Sequence, residues 1–271
     1  MRDLPLEKAK AQSETCSTLR CEVHISLTGL TLFLLRAWRQ LTFGTYGYLN
    51  FTKPGFIEHS KNFKAEDMET RIDGKNCIVT GANSGIGFAT AEGLASRGAT
   101  IYMVCRNKER GEAAQSKIES TTGNQNVHLE VCNLSSLSDV KSFVGLQIAN
   151  LKSYIFLSQV ALTEKWAEMN KSKGIGFYSM HPGWAETAGV AKSLPSFFKA
   201  LSGKLRTNDE GADTIIWLAL QPKEKLVSGA FYFDRAEAPK HLMFAATSCS
   251  HEFIDSVIDS LRCISGISAQ D

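Results

Sequence analysis

A glycine-rich segment between a short apolar run and a helical pattern constrains the fold of this chain more than any other feature. Residues 77–79 (CIV) lead into residues 80–87 (TGANSGIG), and residues 86–97 have the composition of a helix. Glycine permits a tight turn, and the amides at a helix start attract phosphate. Three glycines alone are weak evidence, but strand, turn and helix together predict the phosphate-binding turn of a Rossmann-type dinucleotide site.

The residues after this turn continue the alternation of strands and helices. The segments TIYMVC (100–105) and 127–132 have the composition of strands, and residues 109–121 between them read as a helix. Such alternation is typical of βαβ units. We therefore expect an α/β fold with a Rossmann-like, doubly wound parallel sheet.

The alternation then fails over residues 136–173. This stretch contains no proline and only one glycine, Gly145, so that all of it favours helix. A single helix over the whole stretch would be unusual in a compact α/β domain, where another strand is due. Either a part of the sheet is missing here or two helices abut.

Regular elements return in the last third of the chain. Residues 176–180 predict a strand that leads into His181, and residues 229–234 predict another. Between them, residues 207–210 (TNDE) form a capping box that opens a helix over 211–220. The tail from Ser250 is expected to dock on the core, because apolar residues share one helical face: Phe253, Ile254, Val257, Ile258 and Leu261.

The composition of the chain indicates which kind of partner it binds and in which cellular compartment it is expected. The chain has 271 residues and a net charge of only +2, which favours a small-molecule partner over nucleic acid. Its seven cysteines form no C-x-x-C pair, and three of them fall in predicted strands. This use of cysteine is typical of an intracellular protein, and the cytoplasm is the expected location, with an organelle or membrane surface as the alternative.

Residues 1–40 differ in character from residues 41–271, which we assign to one domain. Polar residues precede a mostly apolar stretch at 25–35, which is too short to span a bilayer. Arg36 and Arg39 follow it in place of a cleavage site. We expect a disordered segment or a surface or buried helix; a membrane-surface or targeting role is the less favoured alternative.

The spacing T-G-x-x-x-G-x-G resembles the cofactor motif of the short-chain dehydrogenase/reductase family. Further segments strengthen the resemblance: 104–114 (VCRNKERGEAA), 133–134 (NL), 179–187 (SMHPGWAET) and 228–235 (SGAFYFDR). The resemblance implies a nicotinamide dinucleotide held by the turn, to which we assign Thr80, Gly81, Asn83, Ser84, Gly85, Ile86 and Gly87. In this arrangement Gly81 and Gly85 let the backbone approach phosphate, and Gly87 lets the helix pack close to the strand.

Further cofactor contacts follow from position or from the resemblance. Arg106 lies at the end of the second strand of the predicted βαβ unit. An arginine there can bind the 2′-phosphate of NADP(H), so it favours NADP(H) over NAD(H). The alternative is that Arg106 is a solvated surface charge. Asn133 and Leu134 occupy the family's Asp-Leu position at the adenine. The resemblance also places Pro182 and Gly183 beside the nicotinamide and Thr187 on its carboxamide.

The resemblance breaks where the family carries out its chemistry. A tyrosine gives the proton, and a lysine four residues later lowers its pKa, but no tyrosine of this chain has a lysine at that spacing. The register of residues 159–168 puts Lys152 at the tyrosine position and Phe156 at the lysine position. The catalytic serine and the Asn-Asn-Ala-Gly segment are also missing. We infer that strands 4 and 5 of the family fold are absent, so that the strand at 176–180 either pairs with the first strand or leaves its edge open.

Three functional interpretations remain. The first is an NADP(H)-dependent oxidoreductase by descent, which acts on an apolar carbonyl or alcohol bound beside residues 188–202. Such an enzyme would be catalytically impaired, or would use Tyr154 or Tyr178 as its proton donor. The second is a non-catalytic binder or regulator that keeps part of the cofactor site or pairs with intact relatives through its remaining helices; a homo-oligomer is a further alternative. The third is a splice-variant product without a stable fold.

Overall fold

The computed structural model describes residues 29–147 and 160–241, together with residues 252, 254–256, 258 and 259 of the tail. Two helices come first, α1 (Gly29–Asn50) and α2 (Lys53–Ser60), and a 3₁₀ turn at Ala65–Met68 follows. Pro54 lies in the first turn of α2, where its missing amide leaves no helical hydrogen bond unmade.

The first sheet has the architecture predicted from the alternation. It consists of β1 (Asn76–Thr80), α3 (Gly85–Ala95), β2 (Thr100–Cys105), α4 (Lys108–Thr122) and β3 (Val127–Val131). All three strands are parallel, and β2 lies between β1 and β3. Ile101 and Met103 of β2 are fully buried, as is Ile118 of α4. This sheet and its helices therefore enclose an apolar core.

The second sheet is smaller. After α5 (Leu137–Gln147) and α6 (Val160–Met169) come β4 (Ser179–His181), α7 (Ala188–Ser193), α8 (Pro195–Ala200), α9 (Asn208–Leu220), β5 (Phe231–Phe233) and β6 (Ala236–Glu237). Strand β4 runs parallel to β5, and β6 returns antiparallel. Both β4 and β5 are shorter than the sequence predicts.

The two sheets do not join within the described residues. Strand β1 forms its ladder with β2, and β4 forms its ladder with β5, so each has one edge without a strand partner there. Of the two arrangements expected for a sheet without its central strands, the structure adopts the open one.

Helix α9 connects the two halves. Thr207 and Glu210 form the predicted capping box at its start, with a distance of 3.1 Å from the Glu210 amide to Thr207 Oγ1. Ile216 packs with the core around β2, whereas Ile215 packs with Tyr178 and Tyr232 of the second sheet. Adjacent residues of one helix thus belong to two different cores.

The predicted helical stretch at 136–173 is helical at both ends. Helix α5 begins after Ser136 and ends at Gln147, α6 begins at Val160, and a 3₁₀ turn covers Lys171–Lys173. Lys152, Tyr154 and Phe156 lie outside the described residues.

The described part of the apolar stretch at 25–35 lies in α1. Its last two residues, Leu34 and Leu35, are exposed. No helix among the described residues is long and apolar enough to cross a membrane. At the other end of the chain, Ile258 is buried and Asp255 pairs with Lys165 of α6 at 2.9 Å, so the described part of the tail docks as expected.

Candidate dinucleotide site

The glycine turn follows directly from the end of β1. Gly81 and Gly85 have φ values of +66° and +60°, a left-handed conformation that L side chains rarely adopt. The Gly81 amide donates to the Val104 carbonyl oxygen at 2.9 Å, which fixes the turn to β2. A Cβ atom built at Gly81 would meet no atom within 4 Å, so this side of the turn is open.

Gly87 has the packing role predicted for it. A Cβ atom there would overlap the carbonyl oxygen of Gly81. Any larger residue would push α3 away from the end of β1. The start of α3 can therefore pack against the turn only because Gly87 has no side chain.

The amides at the start of α3 are not capped by a side chain. Ser84 is the N-cap residue, in extended conformation, and makes no side-chain capping bond. Behind the turn, burial raises the pKa of the Cys105 thiol. The first amides, including those of Gly85 and Ile86, can thus bind an anion.

Two further helix starts meet the turn. The Cβ position of Gly85 lies 3.5 Å from Thr187 Cγ2 and 3.8 Å from Asn208 Oδ1. Thr187 caps α7 by accepting from the Val190 amide at 3.2 Å, and Asn208 is the first residue of α9. The start of α3 carries partial positive charge and no acidic residue, which favours an anion at the turn, whereas the start of α9 carries Asp209 and Glu210.

Asn208 is a site residue that the sequence interpretation missed. Its Oδ1 atom is buried and has no hydrogen-bond partner among the described residues. The capping box at 207–210 places a helix start here, but only the fold brings that start to the glycine turn. The open turn fits a dinucleotide phosphate, and the unsatisfied amide oxygen fits a ribose hydroxyl, which can donate to it.

The other predicted contacts lie at the carboxyl ends of β2 and β3. Arg106 is exposed and has no ion-pair partner within the described part of the chain. Asn133 uses its side-chain oxygen to accept from the Ser135 amide at 3.2 Å, and Leu134 is half exposed. Arg106 and Leu134 are thus available for a ligand, whereas Asn133 also has a local turn role.

Gly183 has a structural role that the sequence does not reveal. Its φ is +73°, and a Cβ atom would overlap the Arg206 guanidinium. Its amide donates to His181 Nδ1 at 3.0 Å, while Pro182 is half-buried beside it. The assignment of Pro182 and Gly183 to the nicotinamide stays a prediction.

Arg206 is at the centre of a buried polar cluster. Its guanidinium bonds both oxygens of Asp234 at 2.6 and 2.8 Å and the carbonyl oxygens of Asn50 and Phe51 at 2.7 and 3.1 Å. His59 contacts Asp234 through Nδ1 at 2.6 Å. These bonds join α1 and α2 to the second sheet.

Asp234 and Arg235 form the turn between β5 and β6 with φ values of +46° and +59°. A two-residue hairpin turn of this type normally contains glycine or asparagine. Ion pairs hold both residues, since Asp234 binds Arg206 and Arg235 Nε bonds Asp213 at 2.6 Å. A cavity of about 720 Å³ lies beside the turn, lined among others by Tyr46, His59 and Trp217.

Metal chemistry has no support in the part of the chain that the structure describes. No group of three or more His, Cys, Asp or Glu side chains there could hold an ion. The cysteines at 77, 105 and 132 are free thiols.

Comparison with known proteins shows the family to which the chain is similar. The family described as short chain dehydrogenase matches residues 75–157. Dehydrogenase/reductase SDR family member 12 of Bos taurus is 30% identical over an alignment of 309 residues, which covers 83% of this chain and 97% of the relative. Because 83% of 271 residues is about 225, the alignment contains about 84 positions at which this chain has no residue.

Solved structures share the fold. L-Sorbose reductase from Gluconobacter frateurii, complexed with NADPH and L-sorbose, has a TM-score of 0.51 and 16% identity, over 61% of this chain and 96% of that one. The 3-ketoacyl-(acyl-carrier-protein) reductase from Brucella melitensis, complexed with NADH, has a TM-score of 0.50 and 15% identity, over 59% and 96%. At such identities the similarity establishes the fold alone.

Proposed function

Because this chain belongs to the short-chain dehydrogenase/reductase family, an oxidoreductase family that binds NAD(P)(H), we propose that it binds NADP(H) but does not catalyse the family's hydride transfer. The observation that carries the proposal is the open glycine turn at the uncapped start of α3, with Thr187 and Asn208 beside Gly85. A site of this kind suits a pyrophosphate.

Each part of the cofactor has a candidate partner. The turn residues Thr80 to Gly87 receive the pyrophosphate through backbone amides, and Arg106 binds the 2′-phosphate that distinguishes NADP(H) from NAD(H). Leu134 and Asn133 lie at the adenine position, and Thr187 retains a hydroxyl hydrogen for the carboxamide. When bound, the cofactor supplies a hydride.

The proton needed with that hydride has no donor of the family type. The sequence contains no Tyr-x-x-x-Lys, and Lys152 and Phe156 occupy the corresponding register. Tyr178 does not substitute for it, because it packs in the second core and burial, reinforced by Tyr232, raises the pKa of its phenol. The alignment positions without a residue support the loss of the central strands.

Titration of the purified chain with NADPH and NADH, followed by protein fluorescence, tests the binding. Arg106→Ala is expected to weaken NADPH binding about 10- to 100-fold, because a charge-assisted hydrogen bond is lost, and to leave NADH binding unchanged. Arg36→Ala, also an exposed arginine, is the matched control. Equal loss for both cofactors would contradict the assignment of Arg106.

The turn itself is tested by Gly87→Val. A side chain there overlaps Gly81, so binding of both cofactors should fall at least tenfold. Gly44→Ala is the control, because a Cβ atom at Gly44 meets nothing within 4 Å. Circular dichroism confirms that each variant is folded.

Activity decides between the three interpretations. We expect NADPH binding and a cooperative thermal transition, without NADPH consumption on a panel of carbonyl compounds. Turnover on that panel would overturn the proposed loss of catalysis. A chain with neither binding nor a cooperative transition would instead be an unstable product, and inserting an intact central segment after Val144 would show whether the rest is competent.

A further inference from the structure

Helix α1 presents an apolar face that no described residue covers. Leu34, Trp38, Leu41 and Tyr48 are each between 45% and 65% exposed. At 100° per residue these four fall within an arc of about 80° on one side of the helix, with the exposed Leu49 beside it, whereas the exposed Phe43 lies on the opposite side. Large apolar side chains grouped on one exposed face mark an interaction surface.

Two chain segments that meet at one end of this face carry cations and no acidic residue. No Asp or Glu occurs in residues 29–57 or 187–207. The two segments touch, because Gly47 packs against Trp184 and the Lys204 ammonium lies 5.0 Å from the centre of the Tyr48 ring. Exposed cations of these segments are Arg36, Arg39, Lys192, Lys199 and Lys204.

The combination selects one occupant. A second copy of the chain would bring like charges together. A nucleic acid would bind the cations but would not bury the exposed Leu34 and Leu41. An anionic lipid surface satisfies both features, since its acyl region accepts the apolar face and its headgroups attract the cations. We propose that α1 lies in the headgroup region of an anionic membrane.

Lys204 shows how the edge of the surface is arranged. It donates to the Tyr48 hydroxyl at 2.7 Å, which places a cation at the end of the apolar face. A tyrosine with an adjacent lysine suits the boundary between acyl chains and headgroups. Arg36 and Arg39 lie on the opposite side of α1, where a helix in the membrane plane keeps its charges in water.

Sedimentation of the full chain with vesicles tests this proposal. We expect binding to vesicles of phosphatidylcholine and phosphatidylserine mixed two to one, little binding to pure phosphatidylcholine, and weakening with salt. The double variant Trp38→Glu/Leu41→Glu should bind at least 20-fold more weakly. Val227→Glu, at an equally exposed apolar residue away from α1, should bind as the parent chain does.

A second pair of variants tests the charges. Lys199→Gln/Lys204→Gln should weaken binding to the anionic vesicles about fivefold for each cation removed. Lys75→Gln/Lys173→Gln removes two exposed cations elsewhere and should have little effect.

Three results would overturn the proposal. The first is a parent chain that stays in the supernatant with anionic vesicles. The second is equal binding by Trp38→Glu/Leu41→Glu. The third is a dimer in analytical ultracentrifugation that this same variant abolishes, which would make the face an interface between copies.

Discussion

Around β2 the buried core is apolar, whereas in the second half the largest fully buried side chain is an arginine. Ile101 and Met103 are fully buried among alanine, leucine, isoleucine and valine, while Arg206 is 1% exposed and bound to Asp234. The hydrophobic effect is non-directional, so the spacing of apolar residues along the sequence is enough to predict an apolar core. A buried ion pair depends on exact partners from distant positions. The two halves should therefore respond differently to substitution.

The largest expected effect is in the second half. Arg206→Met leaves the buried Asp234 carboxylate with His59 but without its arginine partner, and we expect a loss of about 3–5 kcal/mol in the free energy of unfolding. Urea denaturation measures it. The control is Arg71→Met, because Arg71 and Asp73 form an exposed pair, and its effect should stay below about 1 kcal/mol. Similar losses in both variants would mean that burial does not set the cost.

Helix α9 offers a matched pair that separates the halves. Ile215→Ala and Ile216→Ala each remove a buried side chain and should cost about 2–4 kcal/mol. Hydrogen exchange should show lost protection in β4 and β5 for the first variant, and in β1 and β2 for the second. If both variants gave the same pattern of exchange, the two cores would act as one unit.

The smallest effect is a pH dependence in the second half. Burial, with Arg206 nearby, lowers the pKa of His181 to about 4, and His181 Nδ1 must be unprotonated to accept from Gly183. The folded pKa lies below the unfolded value, so this stability is present above about pH 6.5 and is lost as pH falls towards 4. Between pH 8 and 5 the loss is about 2 kcal/mol. His181→Phe should flatten the dependence, as measured by denaturation across this range; an unchanged slope would assign it to other groups.

The same contrast explains which features could be predicted from the sequence. Strand β2, the glycine turn and the capping box of α9 depend on neighbouring residues, so periodicity and residue type predicted them. The Arg206–Asp234 pair joins residues 28 positions apart, and His59 is 175 positions from Asp234. No local pattern predicts such contacts.

Two further differences have physical causes. Asp234 and Arg235 adopt a left-handed turn without glycine, because ion pairs from α9 and the preceding segment hold them there. Hydrophobicity left a surface helix and a buried helix open for the apolar stretch at 25–35, because it does not say which partner covers an apolar residue. Asn208 became a site residue only when the fold set α9 against the glycine turn.

The position of α9 gives the proposed cofactor an influence beyond its own half. Its first residue, Asn208, lies at the glycine turn, and its later turns fill both cores. A ligand that binds only the folded chain stabilises it by mass action, by about 2.7 kcal/mol at one hundred times the dissociation constant. Since α9 connects the site to both sheets, binding of the cofactor should stabilise the second sheet as well as the first. The cellular concentration of the dinucleotide would then set how much of the whole chain is folded.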